Sequence, residues 1–194
     1  MKKIPTVFLR DPENHARVIP EVNPECQWVL DGEGVATVKW DGTCTMLDAD
    51  GRWWARREVK PGKTPPDNWI AVDADEVTGK RVGWEPVEQS PFAKFHSEAL
   101  THVYNGSIRG RTYELVGPKI NGNPRNTPWH LLIPHGTTEL PTFPRTFDEM
   151  ADALTHQWAI DHMEGVVWWH PDGRRAKLKA KDVIPIDRQR KESD

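Results

Sequence analysis

The stretch GVATVKWDGTCTMLDADGRWWARREV, residues 34–59, decides the fold class. Gly34 to Trp40 is rich in β-branched residues and stops at Asp41-Gly42, the pattern of a strand running into a turn. Thr43 to Leu47, the turn Asp48-Ala49-Asp50-Gly51 and the run that follows it read as a hairpin, so an antiparallel sheet begins here. One side chain sits oddly for an ordinary strand: Lys39 ends an apolar run beside a tight turn, a place for a cation only if it faces a cleft. A lysine is a poor nucleophile at its usual pKa of about 10.4. Burial or neighbouring cations lower that value and free the amine for attack.

Outward from this stretch, Pro61 to Asp75 is loose and Pro-rich and reads as a mobile surface loop. Ser90-Pro91 places an N-cap and a first-turn proline before an amphipathic helix carrying Phe92, Phe95, Ala99 and Leu100. Arg111–Gly117 and Trp129–Pro134 are strand-like and separated by the loop PKINGNPRNTP. Thr146 and Glu149 fit a capping box that opens a helix with Phe147, Met150, Leu154 and Trp158 on one face. GVVWW (Gly165 to Trp169), a His-Pro-Asp-Gly turn and RRAKLKAK (Arg174 to Lys181) form a second hairpin. Lys177 and Lys179, two apart, share one face of its outgoing strand. The polar tail 187–194 reads as frayed.

The totals narrow the classes of function. At 194 residues the expectation is one compact unit. No run approaches the roughly 20 apolar residues of a membrane helix, and MKKIPTVFLR is too broken for a signal peptide, so a cytoplasmic location is expected. Two cysteines, Cys26 and Cys44, are too few for a disulfide framework and lack zinc-finger spacing. The net charge of −3 and pI near 6.2 exclude a protein that coats nucleic acid indiscriminately. Ten tryptophans are unusual; the pairs Trp53-Trp54 and Trp168-Trp169 put one ring on each face of their strands as packing residues. His130, His135, His162 and His170 lack ligand spacing and read as surface or packing residues.

Glu114 and Glu164 each interrupt or end an apolar stretch, and a buried carboxylate needs a partner such as a ribose, a lysine or a metal ion. Singly these residues carry little. In order, Lys39-Trp40-Asp41-Gly42, Tyr113-Glu114-Leu115-Val116-Gly117, Glu164-Gly165-Val166-Val167 and Lys177-Leu178-Lys179 resemble four motifs of the covalent nucleotidyltransferase superfamily: ATP-dependent DNA ligases, RNA ligases and mRNA capping guanylyltransferases. KWDGTC, ARREVKPGK and YELVGPKINGNP look most like a small RNA ligase group that includes a vertebrate 5′-to-3′ RNA ligase. Cys44 departs from the KxDGxR of DNA ligases, and only about a dozen residues follow the last motif, where an OB-fold is usual.

The resemblance implies an α+β nucleotidyltransferase (ATP-grasp-like ligase) domain over 1–194, with antiparallel sheets around a nucleotide cleft, short flanking helices and no OB-fold. It implies that Lys39 takes AMP from ATP, with Mg2+ or Mn2+, and that AMP passes to a 5′-phosphate RNA end sealed by a 3′-hydroxyl. Asp41 packs the nucleotide loop, Glu114 meets the ribose, Arg56 lies near the ribose or phosphate, Lys177 and Lys179 hold the α-phosphate, and Glu164 orients the metal. RNA ends, or DNA ends, are the implied partners, with an accessory protein or self-association replacing the missing domain. The competing readings are a DNA nick-sealing ligase, a GTP-using guanylyltransferase and a nucleotide-binding module that has lost the chemistry.

Overall fold

Strand formation follows the apolar and β-branched runs, and eleven strands and four short helices form among the residues that the computed structural model describes, 3–76, 78–102 and 108–184. In chain order they are β1 (Phe8–Arg10), β2 (Val18–Val22), α1 (Gln27–Leu30), β3 (Val35–Lys39), β4 (Thr43–Leu47) and β5 (Trp53–Val59). Next come β6 (Ile70–Ala74), β7 (Arg81–Pro86), α2 (Ala93–Leu100), β8 (Arg111–Val116) and β9 (Leu131–Pro134). The chain continues through α3 (Phe147–Asp161), β10 (Gly165–Trp169), β11 (Arg175–Lys179) and α4 (Ala180–Val183). All strand pairings are antiparallel, so the chain is α+β as expected. The expected tail 187–194 lies outside the described residues. No helix among them is long and apolar enough to cross a membrane.

The chain divides into two compact units, one of residues 4–40 with 136–194 and one of residues 1–3 with 41–135. In the first, β10 is the central strand of a three-stranded sheet ordered β11-β10-β3, beside the ribbon β1-β2. β10 is buried on both faces, which is why GVVWW has no polar position. Trp168 is fully buried and lies in register between Ala36 and Ala176. The two alanines leave room for the indole. Phe8, Met150, Leu154, Val166 and Leu178 complete this core, so the stripe read on α3 is the face it buries.

The second unit is a six-stranded sheet ordered β6-β7-β5-β4-β8-β9. The hairpin read from residues 43–59 is β4-β5, and β4 also pairs with β8. Leu115 and Ile120 pack with Ala99 of α2, backed by Phe92, Phe95 and Leu132.

Local expectations fail at four places. Residues 70–74, read as loop, form edge strand β6, held by β7. Its Ile70 is 52% exposed, so the strand lacks the buried alternation that marks one in sequence. Ser90 acts before the helix, its hydroxyl donating to the Val87 carbonyl at 2.7 Å and accepting from the Phe92 N–H at 3.2 Å. Thr146 donates its hydroxyl to Glu149 at 2.6 Å and caps no backbone N–H, so the reciprocal capping box does not form. Lys181 belongs to α4, not to the strand.

Candidate active site

The unit of residues 4–40 and 136–194 brings Lys39, Glu164, Lys177 and Lys179 together. Gly165 is paired with Lys39 of β3 on one side and Lys179 of β11 on the other. The next row in the same direction pairs Val167 with Thr37 and Lys177. Three lysines therefore project from one face, while Ala176 and Leu178 point into the core. Glu164, one residue ahead of the central glycine, forms ion pairs with Lys39 and, at 2.5 Å, with Lys179.

Gly165 is a spatial requirement. A Cβ there would lie 2.2 Å from the Leu178 carbonyl oxygen and 2.8 Å from the Lys179 Cα, both backbone atoms. Gly165→Ala is expected to cost about 1–3 kcal/mol through forced backbone shifts, read as a lower urea midpoint.

The electrostatics favour an anionic guest. Burial opposes the charge on Glu164, but the ammonium groups of Lys39 and Lys179 and their hydrogen bonds outweigh it and hold its carboxyl below the usual range. That contribution to stability is present above the ordinary carboxylate pKa and is lost as pH falls below it. Burial first, then the charges of Lys179 and Lys39, push Lys177 down to about 8, against the opposing pull of Asp182 and Glu164. The unfolded chain thus holds more protons than the folded one between pH about 8 and the ordinary lysine value, so this group adds stability as pH rises through that window. Its grip on an anion runs the other way. Phosphate affinity is expected to fall above pH about 8 in the wild type and to lose that inflection in Lys177→Met, measured by calorimetric titration.

The remaining expected site residues lie in the unit of residues 41–135. Asp41 accepts a hydrogen bond from Asn121 Nδ2 at 2.9 Å, and the same nitrogen donates to the Gly42 carbonyl at 2.8 Å. Asn121 thereby ties the turn after Trp40 to the loop read as PKINGNP. At Gly42 a Cβ would meet the Leu115 carbonyl oxygen at 2.3 Å and the Glu114 side chain at 2.8 Å, so β4 and β8 can close only over a glycine. Glu114 accepts from or donates to His135 Nε2 at 2.8 Å, depending on protonation, and lies opposite Cys44 in register. Arg56 shares the face of Trp54, Met46 and Cys44 by strand parity. It lines an open depression with Glu58, Asp73 and Lys80.

His135 and Asn121 were missed in sequence. His135 was read as one of several scattered histidines, and its only signal was its place just past the strand WHLLIP. Among the other three, His162 ends α3 in a left-handed conformation against Trp158, and His170 pairs with Glu33 and Asp172. His130 stacks on Phe95. These three do pack or lie at the surface.

A family model described as RNA ligase 1 matches residues 93–184, which hold Glu114, Glu164, Lys177 and Lys179. The chain is similar to RNA ligase 1 of Mus musculus, 26% identical over a match that covers 74% of this chain and 65% of that protein. RNA ligase 1 of Danio rerio is 30% identical over 150 residues, 65% of this chain and 45% of that protein. RNA ligase 1 of Pongo abelii is 26% identical over 163 residues, 65% and 49% respectively. The chain spans between about half and just under two thirds of the length of these curated relatives. By its matched segment and by these relatives, the chain is related to the RNA ligase 1 family.

Proposed function

We propose that the chain is an ATP-dependent RNA ligase that carries AMP on Lys39 and has the nucleotidyltransferase fold. The observation that supports this reading best is the cluster of three lysines and one carboxylate built around Gly165. A lysine nucleophile needs neighbours that hold phosphate oxygens and stabilise the charge that develops as pyrophosphate leaves. Lys177 and Lys179, on the same face, fill that role.

In the adenylylation step the free amine of Lys39 attacks the α-phosphorus of ATP. An N–P bond forms, the bond to the bridging oxygen breaks, and pyrophosphate departs while the nitrogen gives up its proton. Lys39 is held on Glu164 beforehand, so the carboxylate positions the nucleophile and the incoming phosphates compete for the lysines. AMP then passes to the 5′-phosphate of an RNA end, and attack by a 3′-hydroxyl seals the strand and releases AMP. Glu114 is proposed for the ribose, Arg56 for the ribose or phosphate, and Asp41, tied to Asn121, for the shape of the nucleotide loop.

A divalent ion fits this cluster only in the company of ATP. Both oxygens of Glu164 carry a lysine, and three lysines against one carboxylate attract an anion. Mg2+ or Mn2+ arriving with the triphosphate would face Glu164 and neutralise phosphate charge. The test is incubation with Mg2+ and α-labelled ATP or GTP, followed by denaturing electrophoresis. A band with ATP supports the reading, a band with GTP alone replaces it with guanylyl transfer, and no band with either removes the covalent chemistry. Sealing of RNA against nicked DNA then separates the two ligase classes.

A further inference from the structure

Cys44, Glu114 and His135 each offer one donor atom, and the three atoms lie within 4.8 Å of one another. They come from three neighbouring strand positions. Cys44 on β4 is the cross-strand partner of Glu114 on β8, and His135 follows directly after β9, the strand beyond β8. The thiol, at a partly exposed position, is in no disulfide. His135 is already oriented as a ligand would be: its Nδ1 is hydrogen-bonded to the Thr112 hydroxyl at 2.9 Å, which aims Nε2 at Glu114. A ligating histidine has this second contact almost always, because it fixes the tautomer and the ring.

We propose that Cys44, Glu114 and His135 bind a borderline-soft divalent transition ion, with Zn2+ as its type. One thiolate, one imidazole and one carboxylate are a zinc donor set, and they exclude Mg2+ and Ca2+, which take oxygen. Tetrahedral zinc, with Zn–S about 2.3 Å and Zn–N about 2.0 Å, spaces its donor atoms by roughly 3.5 Å, so small side-chain shifts suffice. Three protein ligands leave the fourth position to water or to an oxygen of a guest. Binding releases the thiol proton. Glu114 is also the proposed ribose contact, so this inference rests on that reading to the extent that metal and nucleotide compete for the same carboxylate.

The site is tested without reference to labelling. Co2+ is titrated into the untagged, reduced wild-type chain and followed by absorption. A thiolate charge-transfer band saturating at one ion per chain, displaced by Zn2+ and absent in Cys44→Ser, is expected. Thr112→Val is expected to weaken affinity by about tenfold to a hundredfold through loss of the histidine's anchor. No band in the wild type, or a band that survives in Cys44→Ser, overturns the proposal. Zinc K-edge absorption of the wild-type chain gives the answer even if Cys44→Ser does not fold: one sulfur with nitrogen and oxygen is expected, and a shell without sulfur overturns it. Neither readout depends on whether Lys39 accepts AMP.

Discussion

Lys39→Ala is expected to abolish covalent labelling by α-labelled ATP while leaving the chain folded. The amine is the only atom that can carry AMP in the proposed step, so the expected loss is complete and not partial. The structural cost is small for a definite reason. Glu164 keeps Lys179 at 2.5 Å when Lys39 is removed, so its carboxylate is not left uncompensated. The Lys39 side chain is 22% exposed and leaves no closed cavity behind. Thermal unfolding and labelling, measured on the same preparation, check both halves. Labelling retained in Lys39→Ala would remove Lys39 as the nucleophile, and mapping of that label to a peptide holding Lys177 or Lys179 would move the nucleophile along the same face.

Trp168→Ala is expected to destabilise the chain by about 3–5 kcal/mol, the range for removing a fully buried large aromatic. That is a large part of the total stability of an ordinary domain. Trp168 is fully buried in β10, the central strand of its sheet, flanked in register by Ala36 and Ala176 and met edge-on by Phe143. Two alanines cannot grow into the space an indole vacates. Trp168→Phe is expected to cost much less, because it keeps most of the volume and removes a buried indole N–H without a hydrogen-bond partner. Chemical denaturation of the three chains checks the order. A loss in Trp168→Phe equal to that in Trp168→Ala would mean that packing volume is not what Trp168 supplies.

The elements most legible in sequence are those whose own residues carry the signal. VATVK, TCTML and WWARREV are strands because their side chains alternate or branch at Cβ, and α3 is a helix because its apolar residues return every three or four positions. The first failure, β6, is an edge strand that exposes its largest apolar residue and exists through hydrogen bonds to β7. No local pattern records a partner strand. The capping residues fail for a related reason: Thr146 and Glu149 have the right spacing, but their side chains satisfy one another more directly than they satisfy the backbone.

The same division runs through the candidate site. From sequence alone come the motif order, Lys39 as candidate nucleophile, the shared face of Lys177 and Lys179, and the need of Glu114 and Glu164 for partners. Each of these follows from a residue type at a fixed spacing on one strand, because strand parity is a local property. Only the tertiary structure decided who the partners are. Glu164 meets Lys39 and Lys179 because β10 lies between β3 and β11 with Gly165 at the crossing, 126 positions after Lys39 in the chain. Glu114 meets His135 and Cys44 because β8 lies between β9 and β4. Register between strands is set by the packing of whole faces, which sums over many residues at once, and for that reason a motif read along the chain names the chemistry but not its neighbours.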